Sequence, residues 1–158
     1  MLSKLKADTS FISESNESLI LSPILKIKES NPKLYIVESH SPGLQFPPEE
    51  DDGFVEYKRT LLHCEGSKYD KYATQMRWRI TENTKKRIAT YYIGVEDNGE
   101  IRGLPDEELI KCIDKFVSIS EIINASIVNV NIIHVGLLKI LKIRVKIKKI
   151  IDSYFGGF

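Results

Sequence analysis

The chain has 158 residues, 42% of them hydrophobic and 28% charged, a balance that fits one domain with a single core and excludes a collagen-like or wholly disordered chain. The formal net charge of +1 hides an asymmetry, since residues 1–53 carry five Lys against nine Asp or Glu and the remainder carries 18 basic against 13 acidic residues. The opening MLSKLKADTS lacks the apolar run of a signal peptide, and the stretch Ile122 to Leu138, free of formal charge, is broken by three Asn, a Ser and a His, so no membrane span is expected.

Residues 1–53 mix short apolar pieces such as LILSPILKI with Ser, Asn, Lys and Glu, and end in SPGLQFPPEEDDG. They read as a largely irregular acidic leader. An α/β module follows over residues 54–150, and residues 151–158 form a tail. Within the module, FVEYKRTLL alternates as a strand, with Val55, Tyr57 and Arg59 on one face and Phe54, Glu56 and Lys58 on the other. Ser67 with Asp70 three residues later is a capping-box start for a helix whose apolar stripe is Tyr69, Tyr72, Ala73, Met76 and Ile80, with Trp78 opposite. RIATYYIGVEDNGEIRGL reads as a β-hairpin turning at Asp97-Asn98-Gly99. Pro105-Asp106-Glu107-Glu108 opens a second helix with Leu109, Ile113, Phe116, Val117 and Ser120 on one side. ASIVNVNIIHV and LKILKIRVKIKKI are both strand-like. The order β-α-β-β-α-β-β specifies a two-layer α/β (α+β) domain with a mixed sheet.

The segments PPEEDDG (47–53), VEYKRTL (55–61), TQMRWRI (74–80) and YIGVEDNGEIRGL (92–104) resemble the amino-terminal region of the GTP-binding protein 1 and GTP-binding protein 2 family, translational GTPases related to elongation factors. The resemblance covers about a third of the chain and implies a translation-related context, with GTP and Mg²⁺ as ligands of the full-length proteins. In that family the nucleotide sits in a later domain that opens with G-x-x-x-x-G-K-[ST], whose amides cradle the phosphates. No such loop occurs in this sequence, so neither GTPase activity nor a cofactor is expected of this chain. The run RVKIKKIIDSYFGGF ends the sequence where such a protein would continue, which fits a fragment, a truncated gene model or a short paralogue alike.

A second pattern, E-Y-K followed later by G-V-E-D-N-G, is similar to the nucleic-acid-binding α/β module of Schlafen proteins. That resemblance implies a metal-dependent ribonuclease using Asp51, Glu56 and Asp97, with Glu96 as an alternate and Lys58 neutralising a phosphate. Read from the residues alone, the same three acids are a linker end, a strand residue and a hairpin turn. Arg77, Trp78, Arg79, Lys85, Lys86 and Arg87 form either a basic patch with an aromatic platform for RNA or a solvated helix end. The cations at 139, 142, 144, 146, 148 and 149 read as the charged face of an edge strand. Cys64 and Cys112 form no C-x-x-C pair, His63 and Cys64 point to opposite faces if the strand continues, and His134 reads as a satisfied core histidine. No zinc site and no catalytic set are expected; RNA, the ribosome or a protein domain is the expected partner, in the cytoplasm.

Overall fold

The computed structural model describes residues 23–147. In chain order the elements are α1 (Pro23–Ser30), β1 (Ile36–His40), β2 (Val55–Lys58), α2 (Lys68–Glu82), β3 (Ile88–Ile93), α3 (Asp106–Ile122), β4 (Ala125–Val135) and β5 (Leu138–Ile147). The five strands make one mixed sheet in the order β1-β4-β5-β3-β2. β1 pairs parallel with β4 and β2 parallel with β3, while β5 runs antiparallel to both of its neighbours, β3 and β4. Four strands therefore run one way, and the central strand alone opposes them.

The apolar spacing dictates this layering. α3 turns Leu109, Cys112, Ile113, Phe116 and Ile119 inward, and α2 does the same with Ala73, Met76 and Ile80. These meet Ala89, Tyr91 and Ile93 of β3, Val130 and Ile132 of β4, and Leu141, Ile143 and Val145 of β5 in one core. Phe116 meets Tyr91 edge-to-face with ring centroids 5.0 Å apart, the arrangement that aromatic quadrupoles favour. A smaller cluster of Tyr57, Val95, Ile133 and Ile140, joined by Leu44, Phe46 and Tyr92, lies on the other face of the sheet and contains no helix residue. Among the described residues the three helices thus cover one face, as the two-layer reading requires.

Four expectations change. Residues 23–40, read as part of an irregular leader, supply α1, whose Ile27 is fully buried against α3's side of the core, and the edge strand β1. Ser67 adopts a helical conformation and makes no side-chain capping bond, so the Ser67–Asp70 box does not form. The return strand of the hairpin shrinks to the single bridge Val95–Ile101. Most consequentially, β5 is the middle of the sheet and not an edge. Lys148 and Lys149, and the tail 151–158, lie outside the described residues.

Candidate nucleic-acid interface

Side-chain alternation along β5 sends Leu141, Ile143 and Val145 into the helix-covered core. It must therefore send Lys142, Arg144 and Lys146 to the opposite face. The register sets each cation between two neighbours: Lys142 between Tyr92 and Asn131, Arg144 between Thr90 and Asn129, and Lys146 between Ile88 and Ser126. The Lys142 ammonium lies 5.9 Å from the centre of the Tyr92 ring. Glu38 and Glu56 are the only carboxylates in the five strands, and both fall on the helix side by the same alternation. Lys85 and Lys86, in the loop between α2 and β3, join this face: with Phe54, Ile88, Thr90 and Arg144 they line one shallow pocket.

The loop is held in place by its own polar groups. The Asn83 amide donates to the Ile88 carbonyl at 3.0 Å, its Oδ1 accepts from the Lys86 amide at 3.1 Å, and the Arg87 amide donates to the Asn83 carbonyl at 2.8 Å. Arg87 takes up a φ of 56°, which such a tight return demands. Lys85 and Lys86 are left exposed.

The upper end of the same face is closed by residues 44–49. Phe46 packs on Tyr57 and Tyr92, the Tyr57 hydroxyl donates to the Pro47 carbonyl at 2.9 Å, and the Glu49 amide donates to the Asp97 carbonyl at 2.7 Å. This cover reaches Tyr92, the β3 neighbour of Lys142; further along β5, Arg144 lines a pocket and Lys146 is exposed.

The sequence-derived basic patch is divided by the fold. Arg79 is only 4% exposed. Its Nε donates to Glu56 Oε1 at 2.8 Å, and its terminal nitrogens donate to the carbonyls of Gly53 at 2.8 Å and Glu50 at 3.1 Å. It is a buried clamp that straps the acidic 49–53 segment onto β2 and α2, and it is withdrawn from any RNA surface. Arg77 and Trp78 are exposed on α2, with Trp78 opposite the buried stripe and beneath its ring the Arg79 guanidinium at 4.9 Å. They lie on the helical layer, away from the cations of β5.

The carboxylate triad does not assemble. Glu56 is 3% exposed and is engaged by Arg79 and by Lys58 at 3.5 Å, while Lys58 itself lies 4.1 Å over the Tyr72 ring. Asp51 and Asp97 are exposed, and Glu96 pairs with Arg102 at 2.6 Å. Among the described residues no group of three His, Cys, Asp or Glu side chains is placed to hold a metal ion. The neighbour of Glu56 that the sequence did not single out is Glu49, whose carboxylate accepts the Tyr57 amide at 2.5 Å. Burial, aided by the negative charges of Glu56 and Asp97, pushes its carboxyl above the ordinary carboxylate range, against the opposing pull of that amide and of Arg79.

Other sequence candidates resolve as follows. His63 hydrogen-bonds the Tyr72 hydroxyl at 2.9 Å, and burial with nearby Lys68 and Lys58 holds its imidazole below the usual range. Cys64 and Cys112 are free and buried, and burial raises both thiols. His134 is not a core residue: it pairs with Glu38 at 2.6 Å and stacks on His40 with ring centroids 4.5 Å apart. Among the described residues no helix is long and apolar enough to cross a membrane.

Over the described residues the molecule is thus an α/β module whose sheet carries helices on one side and, on the other, an apolar cluster beside a row of cations. It belongs to the family of the uncharacterized protein R625 of Acanthamoeba polyphaga mimivirus, with which it is 46% identical over 129 residues, 82% of this chain and 69% of that protein. Over 81 residues, 51% of the chain, it is 38% identical to GTP-binding protein 2 of Mus musculus and of Homo sapiens. The chain spans only 13% of those two proteins. No protein-family model matches it, and no solved structure shows significant similarity. These relatives extend the GTP-binding protein resemblance and lend nothing to the Schlafen one.

Proposed function

We propose that this chain is a non-catalytic accessory module, related to part of GTP-binding protein 2, that contacts RNA or a ribosomal surface in the cytoplasm. The observation that carries this reading is the continuity of Lys85 and Lys86 with Arg144 along one pocket on the helix-free face. The partial relationship to a GTP-binding protein supports the translational context. A polyanion meeting several cations on one face releases condensed counterions, so the predicted affinity falls steeply with salt, with a log-log slope of about −0.7 per phosphate neutralised on a single strand. Fluorescence anisotropy of labelled RNA over a salt series measures that slope. Replacing Lys85, Lys86 and Arg87 together by Ala flattens it, whereas Trp78→Ala leaves it unchanged. A folded wild-type chain with no salt-sensitive RNA binding at low ionic strength contradicts the reading. On this reading nucleotide binding belongs to the larger GTP-binding proteins and not to this chain, so filter retention of labelled GTP by this chain is expected to stay at background.

A further inference from the structure

The row of cations on β5 lies in the most confined place that a sheet offers. Lys142, Arg144 and Lys146 repeat every second residue along one strand, so their stems rise from the sheet about 6.7 Å apart. Like charges at such spacing repel one another, and no strand carboxylate on that face relieves them. An edge strand uses such charges to discourage pairing with another chain, but from Leu141 to Lys146 β5 is paired on both sides and has no edge there to protect. The usual structural reason for the charges is therefore missing.

We propose that this row is a track for single-stranded RNA, laid along β5 across the helix-free face. The proposal rests on the RNA-contacting reading above and names the form of RNA and its path. The cation repeat is comparable with the separation of successive phosphates along an extended single strand. Flanking the row on the β4 side are Asn131, Asn129 and Ser126, which donate and accept hydrogen bonds, and on the β3 side are Tyr92 and Thr90. A charged line flanked by neutral polar groups is what a sugar-phosphate chain and splayed bases engage, and Tyr92, its ring packed edge-on by Phe46 at 4.7 Å, marks the end of the row. An acidic peptide can meet the same cations through its carboxylates, but it carries no bases for the neutral polar groups on either side of the row, and poly-glutamate competition separates the two. A duplex presents two phosphate rows to a surface that carries one.

The test compares the wild-type chain with the combined variant Lys142→Ala, Arg144→Ala, Lys146→Ala, using a labelled uridine oligomer, the same sequence annealed to its complement, and poly-glutamate as competitor. Loss of three phosphate contacts is expected to reduce the magnitude of the salt slope by about 2 and to weaken single-strand binding on the order of 100-fold near 0.1 M salt. Retained circular dichroism and thermal melting accompany the measurement. A second readout needs no variant: acylation of lysines in the wild-type chain, mapped by mass spectrometry, is expected to show Lys142 and Lys146 protected by the oligomer. If the wild-type chain binds RNA but the variant keeps its affinity, or if both lysines stay reactive, the track is wrong and the broader RNA reading survives. Duplex binding as tight as single-strand binding, or competition by poly-glutamate at equal charge, overturns the track as well. If the wild-type chain binds no RNA at all, both readings fall together.

Discussion

At the scale of single residues, the buried pair Arg79–Glu56 decides how the chain is assembled. An ion pair taken out of water needs further hydrogen bonds to its remaining polar groups, and each of the three Arg79 nitrogens donates one, to a carboxylate and two carbonyls. Arg79→Met strips the buried Glu56 of its closest partner and leaves it only Lys58 at 3.5 Å, and is expected to cost up to about 3–5 kcal/mol in urea unfolding. Adding Glu56→Gln to that variant should recover much of the loss. Arg79 was not legible as a core residue, because it stands in the basic run around Trp78 and its partner is 23 positions upstream. Glu49 supplies a complementary pH test. Its carboxyl is raised in the folded chain, so the folded state holds that proton more tightly than the unfolded one. Stability from this group is greatest below the ordinary carboxylate pKa and declines as pH rises through that range to the raised value. Glu49→Gln keeps an acceptor for the Tyr57 amide and removes the titration. Thermal melts from acid to neutral pH should show the variant gaining on the wild type as pH rises.

At the scale of elements, alternation revealed which residues share a face, and the structure supplied which strands are neighbours. β4 and β5 were legible because their apolar positions repeat every two residues over a long run. The placement of β5 was not, since a single strand's sequence carries the identity of its faces but not the order of the sheet. β1 is only five residues long and pairs with a strand some 90 positions later, so nothing local marks it as a strand. Its inclusion, and that of α1, is testable through Ile27, which is completely buried. Ile27→Ala should destabilise the whole cooperative unit by about 2–5 kcal/mol, whereas a detached leader would tolerate the change. The 44–49 segment depends on Gly99, whose φ is 94° and where a Cβ would stand 2.4 Å from the Phe46 carbonyl oxygen. Gly99→Ala combines a left-handed strain of about 1–3 kcal/mol with that collision. It should lower the melting temperature and loosen the Phe46 cover over Tyr57 and Tyr92, seen as faster amide exchange at Tyr57.

At the scale of the whole molecule, the described residues put helices on one side of the sheet and the cations of β5, beside an apolar cluster, on the other. The candidate site was partly legible: Lys85 and Lys86 were singled out from the sequence, while Lys142, Arg144 and Lys146 were read as edge protection because their strand's central position is a property of the assembled sheet. Trp78 invited attention as an aromatic platform, yet it sits on the helical layer at 40% exposure, apart from the row on β5. The most direct measurement is photochemical cross-linking of a thiouridine-containing single strand to the wild-type chain, with the attached peptides mapped by mass spectrometry. The account predicts adducts on β3, β5 and the loop holding Lys85 and Lys86. Adducts confined to α1, α2 and α3, Trp78 included, would contradict it.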